Sequence, residues 1–484
     1  MVGARDGCGA ACRPRRSPRD CFSTPCMTQP MSPPPGPAWR RSDDIWAMVI
    51  AAVLLAVAWW CVSPAGNVLD AWVAKPGGWS FDPREAFEGP TAEGGPSRGL
   101  AVAATACGCV AVFAVALAGT GVPPSRSLLP LAVITGMAVL AWLVSTQTVI
   151  KGLQLEYVLW AFAGGLAVSN LYGVPAWLAP ALKGELYIKT GLVLMGAGLL
   201  FGTLMKLGPP GILVSWVTTP VVLVSTYLFG QRVLKIPSRS LNLVLAADMS
   251  VCGVSAAVAT AAACRAKKEE LSIAIGISLA FTVIMMFTLP AVIEAAGIDE
   301  VLGGAWIGGT VDSTGAVVAA GELVGPVARD VAASVKLIQN VLIGVISLVV
   351  AAWWARTSDE GGMAVASPGG WLAEIWRRMP KFVLGFLAAS AIFTLLASSG
   401  RAEEVAATVG GPVKMMRSWC FCLGFVSIGL ETQVRRLAAA MGSAKPVVLY
   451  ICGQCLNLTL TFLMAYLAFR VVFPEVAERL MGGG

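Results

Sequence analysis

The sequence predicts an all-α polytopic membrane protein of about 11 spanning helices plus two interrupted segments, arranged as an inverted-repeat secondary carrier. Three observations predict it. Of the 484 residues 56% are hydrophobic and only 13% charged, with a mean hydropathy of +0.74; a soluble domain carries about 25% charged residues. A series of apolar runs approaches the ~20 residues that cross a bilayer. Two further runs, 241–264 and 305–321, are apolar enough to enter the membrane, yet each holds an acid among Ser, Thr and Gly, at Asp248 and Asp312. A carboxylate at bilayer depth costs several kcal/mol unless it faces protein, water or a ligand. A pair of such interruptions points to a carrier's binding site.

Residues 1–44 read as a disordered, Pro- and Arg-rich head without the apolar core of a signal peptide, and Met27 or Met31 is an alternative start. Arg40 and Arg41 place it in the cytoplasm. The first span is Ile45 to Val62, and the acidic loop 63–98 (Asp70, Asp82, Glu85, Glu88, Glu93) is expected outside. Further spans are expected at 100–119, 128–146, 155–171, 187–205, 211–230, 271–293, 331–355, 381–399, 411–430 and 445–472. The reading divides the chain into extra N-terminal helices (45–150), a transporter domain (155–472) and a short tail (473–484).

Loop charge constrains the two interruptions. Arg232, Lys235 and Arg239 precede the first, and Arg265, Lys267 and Lys268 follow it, while Glu294, Asp299 and Glu300 precede the second. Re-entrant hairpins from opposite faces keep both basic loops on the cytoplasmic side, and unwound crossing helices are the alternative. A weak repeat, Met195 to Leu207 against Phe425 to Leu437, predicts two helices running in opposite directions.

Composition also excludes. The sequence contains no histidine, which removes a His proton relay, a His-ligated metal and a His-based nucleophile pair. The paired cysteines (Cys107 and Cys109, Cys420 and Cys422, Cys452 and Cys455) lie in apolar runs, where Cys acts as a small hydrophobe. The net charge of +7 sits in short loops and reads as positive-inside, not as a nucleic-acid footprint. No phosphate-binding loop pattern is present, so ATP does not drive it. The reading therefore assigns no enzyme activity, no cofactor and no metal.

The candidate residues fall into two constellations and a helix face. Asp248, Ser250, Cys252, Gly253 and Ser255 form the first; Thr310, Asp312, Ser313, Thr314 and Gly315 form the second in the same acid–hydroxyl–glycine order. Exposed backbone N–H groups and hydroxyls at such breaks can cradle an anion. Lys336, Gln339 and Asn340 open the 331–355 span, where Lys336 can hold an anion, neutralise Asp312 or snorkel. Gln454 and Asn457 share a helix face and suggest interhelical hydrogen bonds; Glu431 with Arg435 suggests an i,i+4 pair.

At these residues the chain resembles the YeiH-type sulfate exporter family. Cys252-Gly253-Val254-Ser255-Ala256, Gly309-Thr310-Val311 with Val317 to Gly321, Gly164-Gly165 with Asn170, and Ser334 to Leu337 are similar to four of its motifs in order, over roughly residues 155–472. The sequence departs from that pattern at Asp312-Ser313, where many members carry His-Glu, and at Gln339, where some carry Arg. The resemblance implies an inverted-repeat secondary carrier for sulfate or a related sulfur anion.

The functional expectation is a secondary transporter in a bacterial plasma membrane, exporting sulfate or a related small organosulfur anion, either passively or coupled to an ion gradient. Ser250, Cys252, Gly253, Ser255, Thr310, Ser313, Thr314, Lys336 and Asn340 would bind substrate, and Asp248 and Asp312 would carry the coupling ion. Its partners are the small anion and the lipid bilayer, with no nucleic acid; a homodimer is left open. A cation–proton antiporter and a non-transporting signalling or scaffold protein are the alternatives.

Overall fold

The computed structural model describes residues 42–63, 66–91, 95–152, 157–198, 201–357, 380–435 and 444–481. The expected head thus lies almost wholly outside the described residues, as do residues 199–200 of the first member of the weak repeat and 436–437 of the second. Ala38–Gly484 forms one compact unit.

The described chain is helical apart from a two-residue hairpin, β1 (Val62–Ser63) with β2 (Gly66–Asn67), and short 3-10 turns. The helices are α1 (Asp43–Trp60), α2 (Arg98–Gly119), α3 (Pro124–Ser145), α4 (Tyr157–Leu171), α5 (Gly184–Gly198) and α6 (Phe201–Arg232). Then come α7 (Arg239–Ser250), α8 (Val254–Cys264), α9 (Lys268–Ala295), α10 (Glu300–Thr310), α11 (Thr314–Val324) and α12 (Pro326–Thr357). The last are α13 (Phe382–Leu396), α14 (Ala402–Thr408), α15 (Lys414–Glu431), α16 (Ala444–Tyr466) and α17 (Pro474–Met481). Among the described residues, 8 stretches are long and apolar enough to cross a membrane; one of them, Phe382–Glu431, contains both α13 and α15. The shorter apolar α4 falls on another expected span, and the chain is an integral, polytopic membrane protein.

Both interrupted segments are hairpins. Ser238 and Ser240, where α7 begins, donate to the Glu270 carboxylate at 2.5 and 2.7 Å, and Glu270 sits in the first turn of α9, just past the end of α8. A segment that starts and finishes at one carboxylate has turned back. The second does the same: Glu300, in the first turn of α10, accepts from the Val327 and Ala328 N–H groups at 2.8 and 3.2 Å, immediately beyond α11. Helix α9 has 28 residues, roughly 42 Å at 1.5 Å per residue, and separates the two anchors. The hairpins therefore enter from opposite ends. Each half-helix of 11 or 12 residues is roughly 17 Å long and stops near mid-depth.

Local sequence explains the breaks. Ser238 caps α7 through Leu241 N–H (3.2 Å), and Asp299 caps α10 through Val301 and Leu302 N–H (both 3.2 Å). At the tips Gly253 takes φ +56°, ψ −124°, a conformation that L side chains rarely adopt. In the second hairpin Val311 and Ser313 are extended, with ψ of 129° and 132°.

A panel of α4, α5 and α15 faces the hairpins and packs by glycine. A Cβ on Gly165 would lie 2.5 Å from the Val426 carbonyl, and one on Gly184 would lie 3.0 Å from Ile428. Gly184 meets Gly424 and Ile428 whereas Gly191 meets Phe421, so α5 and α15 run antiparallel. Asn170 donates to the Thr432 carbonyl (3.0 Å) and accepts from Val434 N–H (2.8 Å), locking the same end of α4 to α15.

Three local expectations differ from the structure. Asp43 and Asp44, which the sequence places in the disordered head, open α1 and pair with Lys183 (3.4 Å) and Lys189 (2.8 Å) beside and within α5. The short tail holds a helix that departs from a mere extension: α17 buries Val476 and Ala477 in an apolar cluster with Val301 and Phe469. Glu431 and Arg435 do not share a helical turn, because α15 ends at Glu431 and Thr432 leaves it with ψ 104°.

Candidate functional site

The half-helices leave backbone groups without helical partners at mid-depth, and side chains from α12 and α16 satisfy the carbonyl ends. Gln339 donates through Nε2 to the Ser250 carbonyl (3.0 Å), the Gly309 carbonyl (3.3 Å) and the Thr219 hydroxyl (3.1 Å). Lys336 donates to the Val251 carbonyl and to Gln339 Oε1 (2.8 Å). Gln454 reaches the Thr310 carbonyl (3.1 Å), and Asn457 reaches the Met249 carbonyl (3.2 Å). A lysine at the C-terminal end of α7 also complements the negative end of that helix dipole. These amides and the ammonium cap two helix C-termini at once.

The N-terminal ends of α8 and α11 face the other way. Neither carries a side-chain cap, so their first-turn N–H groups are left for another acceptor. They sit on the floor of a cavity of about 1080 Å³. Cys252, Gly253, Ser255, Ser313, Thr314 and Asn340 line that floor with Ser278 of α9, while Ile188, Phe162 and Ile428 form the panel wall. The rim carries Asp44, Glu185, Lys189, Lys381 and Glu431. Those rim residues lie at the termini where α1, α5 and α13 begin and α15 ends, the face from which the first hairpin enters. Arg232, Lys235, Arg239, Arg265, Lys267 and Lys268 cluster there in the sequence, against Glu294, Asp299 and Glu300 at the far end of α9.

The structure divides the expected site residues into two layers. Cys252, Gly253, Ser255, Ser313, Thr314 and Asn340 line the cavity. Ser250, Thr310 and Lys336 do not: Ser250 hydrogen-bonds the Ala247 carbonyl in its own helix (3.3 Å), Thr310 is buried behind the tip, and Lys336 is fully buried on Val251 and Gln339. Lys336 is thus committed to backbone capping, at a carbonyl that the broken α7 leaves outside the helix. Asn340 donates to the Thr314 hydroxyl at 3.2 Å and so links α12 to the floor.

Asp248 and Asp312 lie directly beneath the floor, 0% and 1% exposed. A Cβ on Gly253 would stand 3.2 Å from Ser278 Oγ and 3.5 Å from Asp312 Cβ, so the tips and α9 meet at one point. Tyr450 donates its hydroxyl to Asp312 Oδ2 and stacks on Phe281 at 4.8 Å between ring centres. Neither oxygen of Asp248, nor Oδ1 of Asp312, has a hydrogen-bond partner.

Tyr450 and Ser278 were not singled out from sequence. Tyr450 precedes Gln454 by four residues and Asn457 by seven, so all three share one helix face, a pattern legible in the spacing. Ser278 gives no such signal, since a lone Ser in an apolar helix is ordinary. Among the described residues no group of three or more His, Cys, Asp or Glu could hold a metal ion.

Comparison with known proteins finds membrane proteins. The sequence is 52% identical over 409 residues to a UPF0324 membrane protein of Rhodopirellula baltica, covering 84% of this chain and 73% of the relative. It is 51% identical over 350 residues to a UPF0324 membrane protein of Nitratidesulfovibrio vulgaris, of which it spans only 60%. A Nitrosomonas europaea UPF0324 membrane protein is 27% identical over 466 residues, covering 85% of this chain and 92% of the relative. No solved structure matches. The family described as Conserved hypothetical protein 698 matches residues 129–450, which hold both hairpins and the whole cavity floor, and the chain belongs to that family.

Proposed function

We propose that this protein is a secondary transporter of a small anion, with sulfate or a related organosulfur anion as its substrate class. One observation carries the reading: two uncapped helix N-termini converge on the floor of one cavity. Each offers free N–H groups and a positive dipole end to an anion. Ser255, Ser313 and Thr314 add hydroxyl donors, and Asn340 orients Thr314. No neighbouring acid lines the floor itself, because Asp248 and Asp312 lie behind the tips. The basic face is cytoplasmic on the positive-inside rule, so the cavity opens inward, as an exporter loading substrate requires. The acids below carry the coupling ion.

The test is ligand-dependent thermal stability of the purified protein with sulfate, thiosulfate, taurine and other sulfonates. A ligand that binds only the folded state raises the melting temperature by mass action. A hit should weaken in Ser313→Ala and Thr314→Val together, and a hit indifferent to that pair would remove the tips from the site.

A cation–proton antiporter is the second reading. It is favoured by the two buried acids and by the rim, where Asp44, Glu185 and Glu431 face Lys189 and Lys381. Asp248→Asn with Asp312→Asn separates the two: an antiporter loses all ion exchange, whereas an anion carrier keeps substrate binding at the floor.

A further inference from the structure

We propose that a sodium-sized monovalent cation binds beneath the cavity floor, held by the Asp248 carboxylate, the free oxygen of Asp312 and the Ser278 hydroxyl. The charges at mid-depth motivate it. Lys336 is the cationic neighbour that Asp312 faces, whereas the ionisable neighbour of Asp248 is Asp312 itself. With both acids ionised, Asp248, Asp312 and Lys336 sum to one negative charge in a region removed from water. Leaving an isolated charge there is far costlier than supplying a counter-ion.

The oxygens choose the counter-ion. Asp248 Oδ1 and Oδ2 and Asp312 Oδ1 are all buried acceptors without a donor. Ser278 stands at the same point, against Gly253 and beside Asp248. A proton shared between the two acids needs an O–H···O contact of roughly 2.5–2.7 Å, and Asp248 makes no such contact with Asp312. A proton on Asp248 could be shared with the Ser278 hydroxyl alone and would leave Asp312 Oδ1 unmet. A hard cation instead takes several separated oxygens at once. Two carboxylates and one ammonium call for a single positive charge, and among the described residues no third acidic ligand joins them, so the ion is monovalent. Ser278 and Gly253 also line the cavity, which gives the ion its way in. The cation would sit below the tips and the anion above, so each favours the other's binding. That coupling rests on the reading of the cavity as an anion site; the cation site does not.

The experiment is thermal unfolding of the purified full-length protein in sodium chloride against N-methylglucamine chloride, at constant ionic strength and pH and without added oxyanion. The wild type should be stabilised saturably by sodium, and Asp248→Asn should weaken the apparent affinity at least about tenfold, with a smaller loss for Ser278→Ala. A melting temperature indifferent to sodium, or one that follows pH alone, overturns the cation and makes the occupant a proton. If Asp248→Asn fails to fold, Asp312→Asn and Ser278→Ala carry the test, and an unchanged sodium response in both overturns the site. Sulfate titration in sodium-free buffer reports the anion cavity separately, so either reading can fail while the other stands.

Discussion

Gln339 Nε2 lies 3.0 Å from the Ser250 carbonyl and 3.3 Å from the Gly309 carbonyl, so one amide joins the ends of two hairpins that enter from opposite faces. The hairpins are broken helices whose carbonyl ends are sealed by side chains and whose N–H ends are left open to a cavity. That polarity gives the site its chemistry.

Removing the amide should loosen both tips. Gln339→Leu deletes four hydrogen bonds, the one accepted from Lys336 included, and leaves two buried carbonyls unpaired. At about 0.6 to 1.7 kcal/mol each within a membrane, the loss is roughly 2 to 7 kcal/mol. Thermal or denaturant melting of the purified protein reads it directly, and an unchanged midpoint would contradict the capping role.

Hairpin geometry makes a proximity prediction. Ser240 Oγ is 2.7 Å from Glu270 Oε2 across what would otherwise be a full membrane crossing. A Ser240→Cys, Glu270→Cys pair should cross-link with a short bismaleimide in native membranes. If the segment crossed the bilayer, the two would be roughly 30 Å apart and no cross-link would form.

Glycine packing fixes the panel. A Cβ on Gly165 would stand 2.5 Å from the Val426 carbonyl and 2.8 Å from Leu430 N, both backbone atoms that cannot swing aside. Gly165→Ala should therefore cost about 1 to 3 kcal/mol, whereas Gly164→Ala, with nothing within reach of its Cβ, should be nearly neutral. Comparing their melting temperatures checks the claim, and equal effects would contradict it.

The cavity floor should be reachable by a charged thiol reagent from one side only. In a background lacking the other cysteines, Ser313→Cys should react with an anionic methanethiosulfonate from the basic face, and bound substrate should slow the reaction. Ser250→Cys, whose native side chain is buried on its own helix, should stay unreactive from that face. Labelling of both, or of neither, would misplace the floor.

Much of this was legible in the sequence. The spans follow from hydrophobic run length, and the interruptions announce themselves because an acid in an apolar run has so few satisfactory explanations. Loop charge favoured hairpins over crossing helices, yet only the shared partners of Glu270 and Glu300 decide it. Spacing gathers the polar residues near the tips without saying which way each faces. Ser250 and Thr310 belong to the same motifs as Ser255 and Ser313 but lie on the carbonyl side of each break, away from the cavity. Lys336 suggests an anion ligand by its charge; its partners, a helix C-terminal carbonyl and Gln339 Oε1, appear only once the chain is folded. Ser278 was hidden because its role arises from a tertiary meeting of α9 with both tips.

The central claim is that the converging helix N-termini carry a small anion across the membrane. The most direct test is flux in proteoliposomes: uptake of radiolabelled sulfate and taurine under imposed sodium, proton and substrate gradients, for the wild type and for Ser313→Ala with Thr314→Val. The account predicts saturable uptake of at least one such anion, reduced about tenfold or more by the double substitution. Wild-type vesicles that take up none of these anions under any gradient while exchanging sodium for protons would contradict it.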